Sequence, residues 1–127
     1  MQEARSSYVH GNFIATLVVA LAYVEHVIND ALPPLQPNKK TPTMAAAIKQ
    51  ARAAGLFPDG LLVGATVLSD FRNPFIHRRD PEDPDTIGQR VRSRKCHPRM
   101  ILEQDARDAL QVMYGFFRYS FDPPLQP

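Results

Sequence analysis

The chain has 127 residues, 44% of them hydrophobic and 22% charged, and a formal net charge of +2. That length builds one hydrophobic core rather than two, and the apolar fraction excludes global disorder. A single cysteine, Cys96, excludes an internal disulfide and fits a reducing compartment.

Residues 1–7 read as a polar lead-in to a helix that runs from about Tyr8 to Leu32. Ile14, Val18, Leu21, Ile28 and Leu32 follow the spacing of one helical face, and Phe13, Leu17, Ala20 and Val24 form an adjoining stripe. A helix apolar over that much of its circumference is packed on several sides, in a bundle core, a dimer interface or both. The run Phe13 to Val24, with Ala20-Leu21-Ala22 in it, also invites a test as a signal sequence or membrane span. Glu3 accompanies Arg5 in the preceding segment, so that segment is hardly cationic. Glu25, His26, Asn29 and Asp30 interrupt the run short of the ~20 residues a span needs. The expectation is a buried core helix in a cytoplasmic protein with no membrane partner.

Pro33-Pro34-Leu35-Gln36-Pro37 ends that helix, because proline cannot continue the backbone hydrogen bonding. After a linker to Lys40, Thr41-Pro42 reads as an N-cap followed by proline in the first helical position. The alanine-rich helix Thr43–Ala54 follows, with Gly55 placed to terminate it. Asp59 reads as the N-cap of a third helix through Leu61, Leu62, Ala65, Leu68 and Phe71, weakened near its start by Gly60 and Gly64. Pro74 removes a hydrogen bond to the carbonyl of Asp70, so a kink, or a break and restart, is expected there.

Residues 78–99 form a long connection, first acidic (Asp80, Glu82, Asp83, Asp85) and then basic (Arg90, Arg92, Arg94, Lys95, Arg99). With Arg72, Arg78 and Arg79 the basic residues make a patch able to attract polyanions, or else a solvated loop with no ligand. Thr86–Val91 fits a short helix or an extended piece. His97 beside Cys96 and the distant His77 lack a paired metal-ligand spacing, so no metal and no other cofactor is expected. The last helix runs from about Leu102 to Phe121, with Ala106, Leu110, Met113 and Phe117, and Ala109 and Phe116 beside them, on its buried side. Within the tail at 122–127, Pro123-Pro124-Leu125-Gln126-Pro127 repeats the pentapeptide of 33–37, a coincidence of proline-rich punctuation. The sum is one all-α domain over 1–127, with four main helices and no convincing strand alternation.

One segment carries chemistry. In Phe71-Arg72-Asn73-Pro74-Phe75-Ile76-His77 an arginine, a polar neighbour and a histidine lie within an apolar helical stretch, and these side chains suit holding, orienting and deprotonating a phosphodiester. Arg72-Asn73-Pro74-Phe75-Ile76-His77 resembles the arginine–polar–any three–histidine motif of HEPN domains. The surroundings resemble them too: an apolar first helix with a lone glutamate, Glu25, a motif late in a central helix, and a final helix with an acidic start at Glu103-Gln104-Asp105. The resemblance spans about Tyr8 to Phe121. It implies a helical bundle, usually a homodimer with the two motifs facing across a two-fold axis. Active members are metal-independent endoribonucleases, some of them toxins or defence components with a cognate antitoxin, and others are binding or dimerisation modules. Members paired with a nucleotidyltransferase antitoxin often carry tyrosine two residues after the histidine, where this chain has Arg79.

For such a reaction the 2′-hydroxyl must lose its proton, the phosphorane must be stabilised and the 5′-oxygen protonated. Histidine as a residue type exchanges its proton near neutral pH, so His77 suits proton transfer. Arg72 offers a planar fork of donors to phosphate oxygens, and Asn73 can orient either side chain or donate to phosphate. On a regular helix Arg72 and His77 point ~140° apart, so the Pro74 distortion, the arginine's length or a partner chain must complete the site. Arg78, Arg79, Arg92, Arg94 and Lys95 are the candidate RNA contacts. Glu25 either reaches Arg72 or His77 to position them or turns to solvent or a lysine. Against the enzyme stand two plainer options. One is a catalytically silent dimer binding RNA or protein through 78–99. The other is a structural domain in which Arg72 pairs with Asp70 or Asp80 and His77 caps helix-end carbonyls.

Overall fold

A computed structural model of the chain describes residues 1–76 and 80–121. Among them the regular structure is entirely helical: α1 (Gln2–Val9), α2 (Phe13–Ala31), α3 (Met44–Ala53), α4 (Asp59–Ile76), α5 (Ile87–Arg94) and α6 (Pro98–Phe121).

The expected lead-in and first helix are in fact two helices. Residues 2–9 form α1, which buries Ala4 and packs on α2 and α6. The break falls at Gly11, whose φ of +78° is a left-handed conformation that a residue with a Cβ adopts only at a cost. The Gly11 N–H donates to Tyr8 O and the Asn12 N–H to Ser7 O, closing α1 before α2 begins. In α2 the buried face is Leu17, Ala20, Leu21, Val24 and Ile28, so the adjoining stripe contributes most of the core while Ile14 is 40% exposed. Leu32 ends α2 in an extended conformation (ψ 158°), the geometry the following Pro33 demands. By length and composition α2 is the one described helix able to cross a bilayer, so its length falls less short of a span than the sequence suggests. Its buried side is covered by α1, α3, α4 and α6.

Thr43, not Thr41, caps α3: its hydroxyl accepts from the Ala46 N–H at 3.2 Å. Gly55 does terminate α3, at φ +66°, with its N–H donating to Arg52 O and the Leu56 N–H to Ala51 O. Asp59 is the first residue of α4 rather than its cap. The Pro58 carbonyl accepts the first helical bonds, and the Asp59 carboxylate is engaged by Arg52 Nε at 3.0 Å. Within the described residues α4 does not break at Pro74 but runs on through Phe75 and Ile76. The proline removes one ladder bond without dividing the element.

The segment with two open readings is a helix, α5, capped by the Thr86 hydroxyl accepting from Gln89 N at 3.3 Å. Asp80 and Asp83 make local turns by accepting from the Glu82 and Asp85 N–H groups at 2.9 Å each. Helix α6 starts at Pro98, four residues before the expected Leu102, because His97 caps it: Nδ1 accepts from Arg99 N at 3.1 Å. Its fully buried side is Ile101, Ala106, Ala109, Met113 and Phe116. One core joins α2, α3, α4 and α6 with Ala4 of α1, and α5 lies against α6 at its edge. The tail at 122–127 lies outside the described residues.

Candidate functional site

The buried face of α4 is Leu62, Ala65, Leu68 with Ser69, then Arg72. Helical spacing therefore puts an arginine where the stripe calls for an apolar residue, and Arg72 is only 7% exposed. Its acceptors are distant. Nη1 stands 3.9 Å from Glu25 Oε2 on α2, an ion pair without a hydrogen bond. Nη2 donates to Asn73 Oδ1 at 3.3 Å and to Ser69 Oγ at 3.5 Å. Nε is buried with no acceptor among the described residues.

The structure thus brings three of the expected residues together. Glu25 reaches Arg72, with its side chain 34% exposed, instead of turning to a lysine. Asn73 orients the guanidinium. The third member of the motif, His77, and the basic pair Arg78 and Arg79 lie outside the described residues.

Next to the motif stands a second buried arginine that the sequence reading counted with the surface patch. Arg90 is 4% exposed and grips Asp105 of α6 through two bonds of 2.6 Å. Its Cζ lies 3.6 Å from the centroid of the Phe71 ring. Arg90 is therefore neutralised inside the protein and is withdrawn from any polyanion surface. A sequence signal for this pair exists. Asp105 stands four residues after Ile101 and four before Ala109, on the buried side of α6, where a carboxylate requires a partner.

Arg92, Arg94 and Lys95 remain exposed at the C-terminal end of α5. Arg92 and Arg94 stand in the last turn, where cations complement the negative end of the helix dipole, and Lys95 turns the chain with φ +53°. Arg94 lies 5.8 Å from the Phe71 ring centroid, so this basic end sits beside the residue that precedes Arg72. The long connection is in this way folded back onto the motif helix.

On another side of Arg72, between the start of α3 and the second half of α4, lies a cavity of about 260 Å³. Thr43, Met44, Thr66, Ser69, Arg72 and Asn73 contribute to its walls. The arrangement as a whole offers a buried, weakly neutralised guanidinium, an amide that orients it, a carboxylate behind it and a polar hollow beside it. Such a set can bind and stabilise an oxyanion. Compared with protein-family models, curated proteins and solved structures, this chain has no match in any of the three.

Proposed function

We propose that this chain is a HEPN-like, homodimeric, metal-independent endoribonuclease of the cytoplasm, built on a bundle of α2, α3, α4 and α6 and serving as a toxin or defence component. The observation that supports the reading is Arg72. An arginine only 7% exposed yet lacking any hydrogen-bonded carboxylate is poorly explained as a structural ion pair, especially beside Arg90, which has two bonds of 2.6 Å to its acid. Its position late in α4, followed by Asn73 and His77, matches the motif that suggested the family.

In this reading Arg72 binds the scissile phosphate and stabilises charge on the phosphorane. Asn73 and Glu25 fix the guanidinium. His77 takes the 2′-hydroxyl proton, and the histidine of a second protomer protonates the departing 5′-oxygen. The products are a 2′,3′-cyclic phosphate and a 5′-hydroxyl. A site shared by two chains supplies the base and the acid from two histidines, one per protomer. Incubating the protein with RNA in EDTA should give cleavage that His77→Ala lowers by at least ~100-fold, the usual contribution of a general acid–base group. Equal cleavage by the two proteins overturns the proposal.

One observation favours a second reading, a catalytically inactive dimer that binds RNA: the exposed group Arg92, Arg94 and Lys95 beside Phe71. Salt-sensitive RNA binding with no cleavage, lost on Arg92→Ala and Arg94→Ala together, distinguishes it.

A further inference from the structure

Arg72 stands late in α4. At the opposite end of that helix Leu56 and Phe57 border an apolar groove of about 490 Å³. Its other walls come from the C-terminal ends of α2 and α6, with Tyr23, Val27 and Ala31 on one side and Tyr119 and Ser120 on the other. Tyr23, Val27 and Ala31 follow at a spacing of four, on one stripe of α2. The aromatic wall is anchored from beneath: the Phe57 ring is 5.1 Å from that of the buried Phe116 and 5.6 Å from that of Tyr119. Neither the Tyr23 nor the Tyr119 hydroxyl makes a hydrogen bond among the described residues, so both are free to donate. Charge is sparse. Asp30 is the one carboxylate on the walls and lies 3.2 Å from His26 Nε2, and no lysine or arginine lines the groove. Such a surface does not suit an anion. It suits a ligand that is apolar, uncharged and rich in hydrogen-bond acceptors.

We infer that this groove is a docking site for a proline-rich segment, and that its occupant is the chain's own Pro123-Pro124-Leu125-Gln126-Pro127. The chemistry matches. Proline rings offer rigid apolar surface, proline keeps its carbonyl acceptor while lacking an N–H, and polyproline II is ordered before it binds. Aromatic-lined grooves are the common receptors for such segments. The position matches too. The pentapeptide begins two residues after Phe121, the last residue of α6, and Tyr119 and Ser120 just before it are groove walls. Reach is sufficient. Five residues of polyproline II span about 16 Å at ~3.1 Å each. Helices α2 and α6 pack directly, at the usual separation of about 8–10 Å, so a segment leaving α6 crosses to Tyr23 and Val27. The same five residues at 33–37 follow α2 but do not line the groove. Pro33, Pro34 and Leu35 border a separate hollow with Thr41, Pro42 and Gln50. The docking site uses no residue of the Arg72 motif and stands independently of the nuclease reading.

The test begins with the full chain in solution. Nuclear Overhauser contacts should run from Pro124 and Leu125 to the Tyr23 and Tyr119 rings, and should stay within one molecule when labelled and unlabelled chains are mixed. Their absence overturns the proposal. Contacts between molecules overturn it as well and assign the groove to the segment of a second copy. A chain ending at Phe121 keeps every buried core residue and leaves the groove open. Free Pro-Pro-Leu-Gln-Pro peptide should bind that shorter chain at least ~10-fold more tightly than the full chain, because the tethered segment competes at millimolar effective concentration. Equal binding by the two chains gives the groove to a partner's proline-rich segment and overturns the internal occupant. Ala31→Arg sets a long cation in the groove from an exposed position at the end of α2, where positive charge favours the helix and the fold is kept. It should abolish the contacts with an unchanged far-ultraviolet circular dichroism spectrum. Contacts that survive Ala31→Arg overturn the assignment to this groove.

Discussion

Arg72 and Arg90 place the same functional group in the same kind of environment with opposite outcomes. Both are buried in apolar surroundings, 7% and 4% exposed. Arg90 recovers its desolvation cost through two short bonds to Asp105, whereas Arg72 has a carboxylate at 3.9 Å and two long neutral acceptors. Removing a partner should therefore matter at one site and little at the other. Asp105→Asn leaves a buried guanidinium uncompensated and should cost about 3–5 kcal/mol in urea denaturation. Replacing both members, Arg90→Met with Asp105→Leu, should restore much of that loss, because a buried ion pair is often no better than well-packed apolar residues. Glu25→Gln should cost no more than about 1 kcal/mol, as the carboxylate is one-third exposed and forms no hydrogen bond to Arg72. A larger loss there would mean that Glu25 neutralises Arg72 more strongly than their separation suggests.

Among the elements, turns and caps decided what the hydrophobic pattern left open. The apolar runs of α2, α4 and α6 were legible because each buries a stripe at helical spacing. Their ends were less so. Tyr8 to Leu32 read as one helix since His10 and Asn12 do not interrupt the pattern strongly, yet the positive φ of Gly11 divides it. Thr41-Pro42 has the composition of a helix start, but Thr43 makes the actual bond to Ala46 N. For α5 there was no apolar stripe to read. It is held by a cap at Thr86 and by Arg90, whose partners Asp105 and Phe71 come from α6 and α4. Two glycines make the distinction between backbone conformation and packing measurable. Gly55 (φ +66°) and Gly60 both have nothing within 4 Å of an added Cβ. Gly55→Ala should destabilise by about 1–2 kcal/mol because of its left-handed backbone alone. Gly60→Ala, in an ordinary helical conformation, should be neutral or stabilise by up to about 1 kcal/mol. Denaturant midpoints moving the same way in both would contradict this backbone assignment.

At the scale of the whole molecule, the proposed chemistry depends on how two copies meet. A site that needs a histidine from each protomer makes mixed dimers inactive. Adding excess His77→Ala protein to the wild type, with time for exchange, should therefore depress cleavage far below simple dilution. A loss no greater than dilution would mean that each chain cleaves alone. For the RNA-binding reading, the relevant quantity is the slope of log affinity against log salt. Arg92→Ala should reduce it by about one if that side chain neutralises a phosphate, while the double replacement Arg90→Met with Asp105→Leu should leave it unchanged because Arg90 is buried against Asp105.

The sequence by itself determined that the chain is helical, where its long apolar stripes run, and that Arg72 interrupts one of them. Each of these depends on local periodicity and on proline and glycine as punctuation, which act over a few residues. Only the tertiary structure decided what the interruption means. It brought Glu25 from another helix to Arg72, gave Arg90 to Asp105 rather than to the surface, and set the start of α3 beside the motif. Those are contacts between residues distant in the chain, and no local pattern encodes which of two buried arginines will find a carboxylate within hydrogen-bond reach.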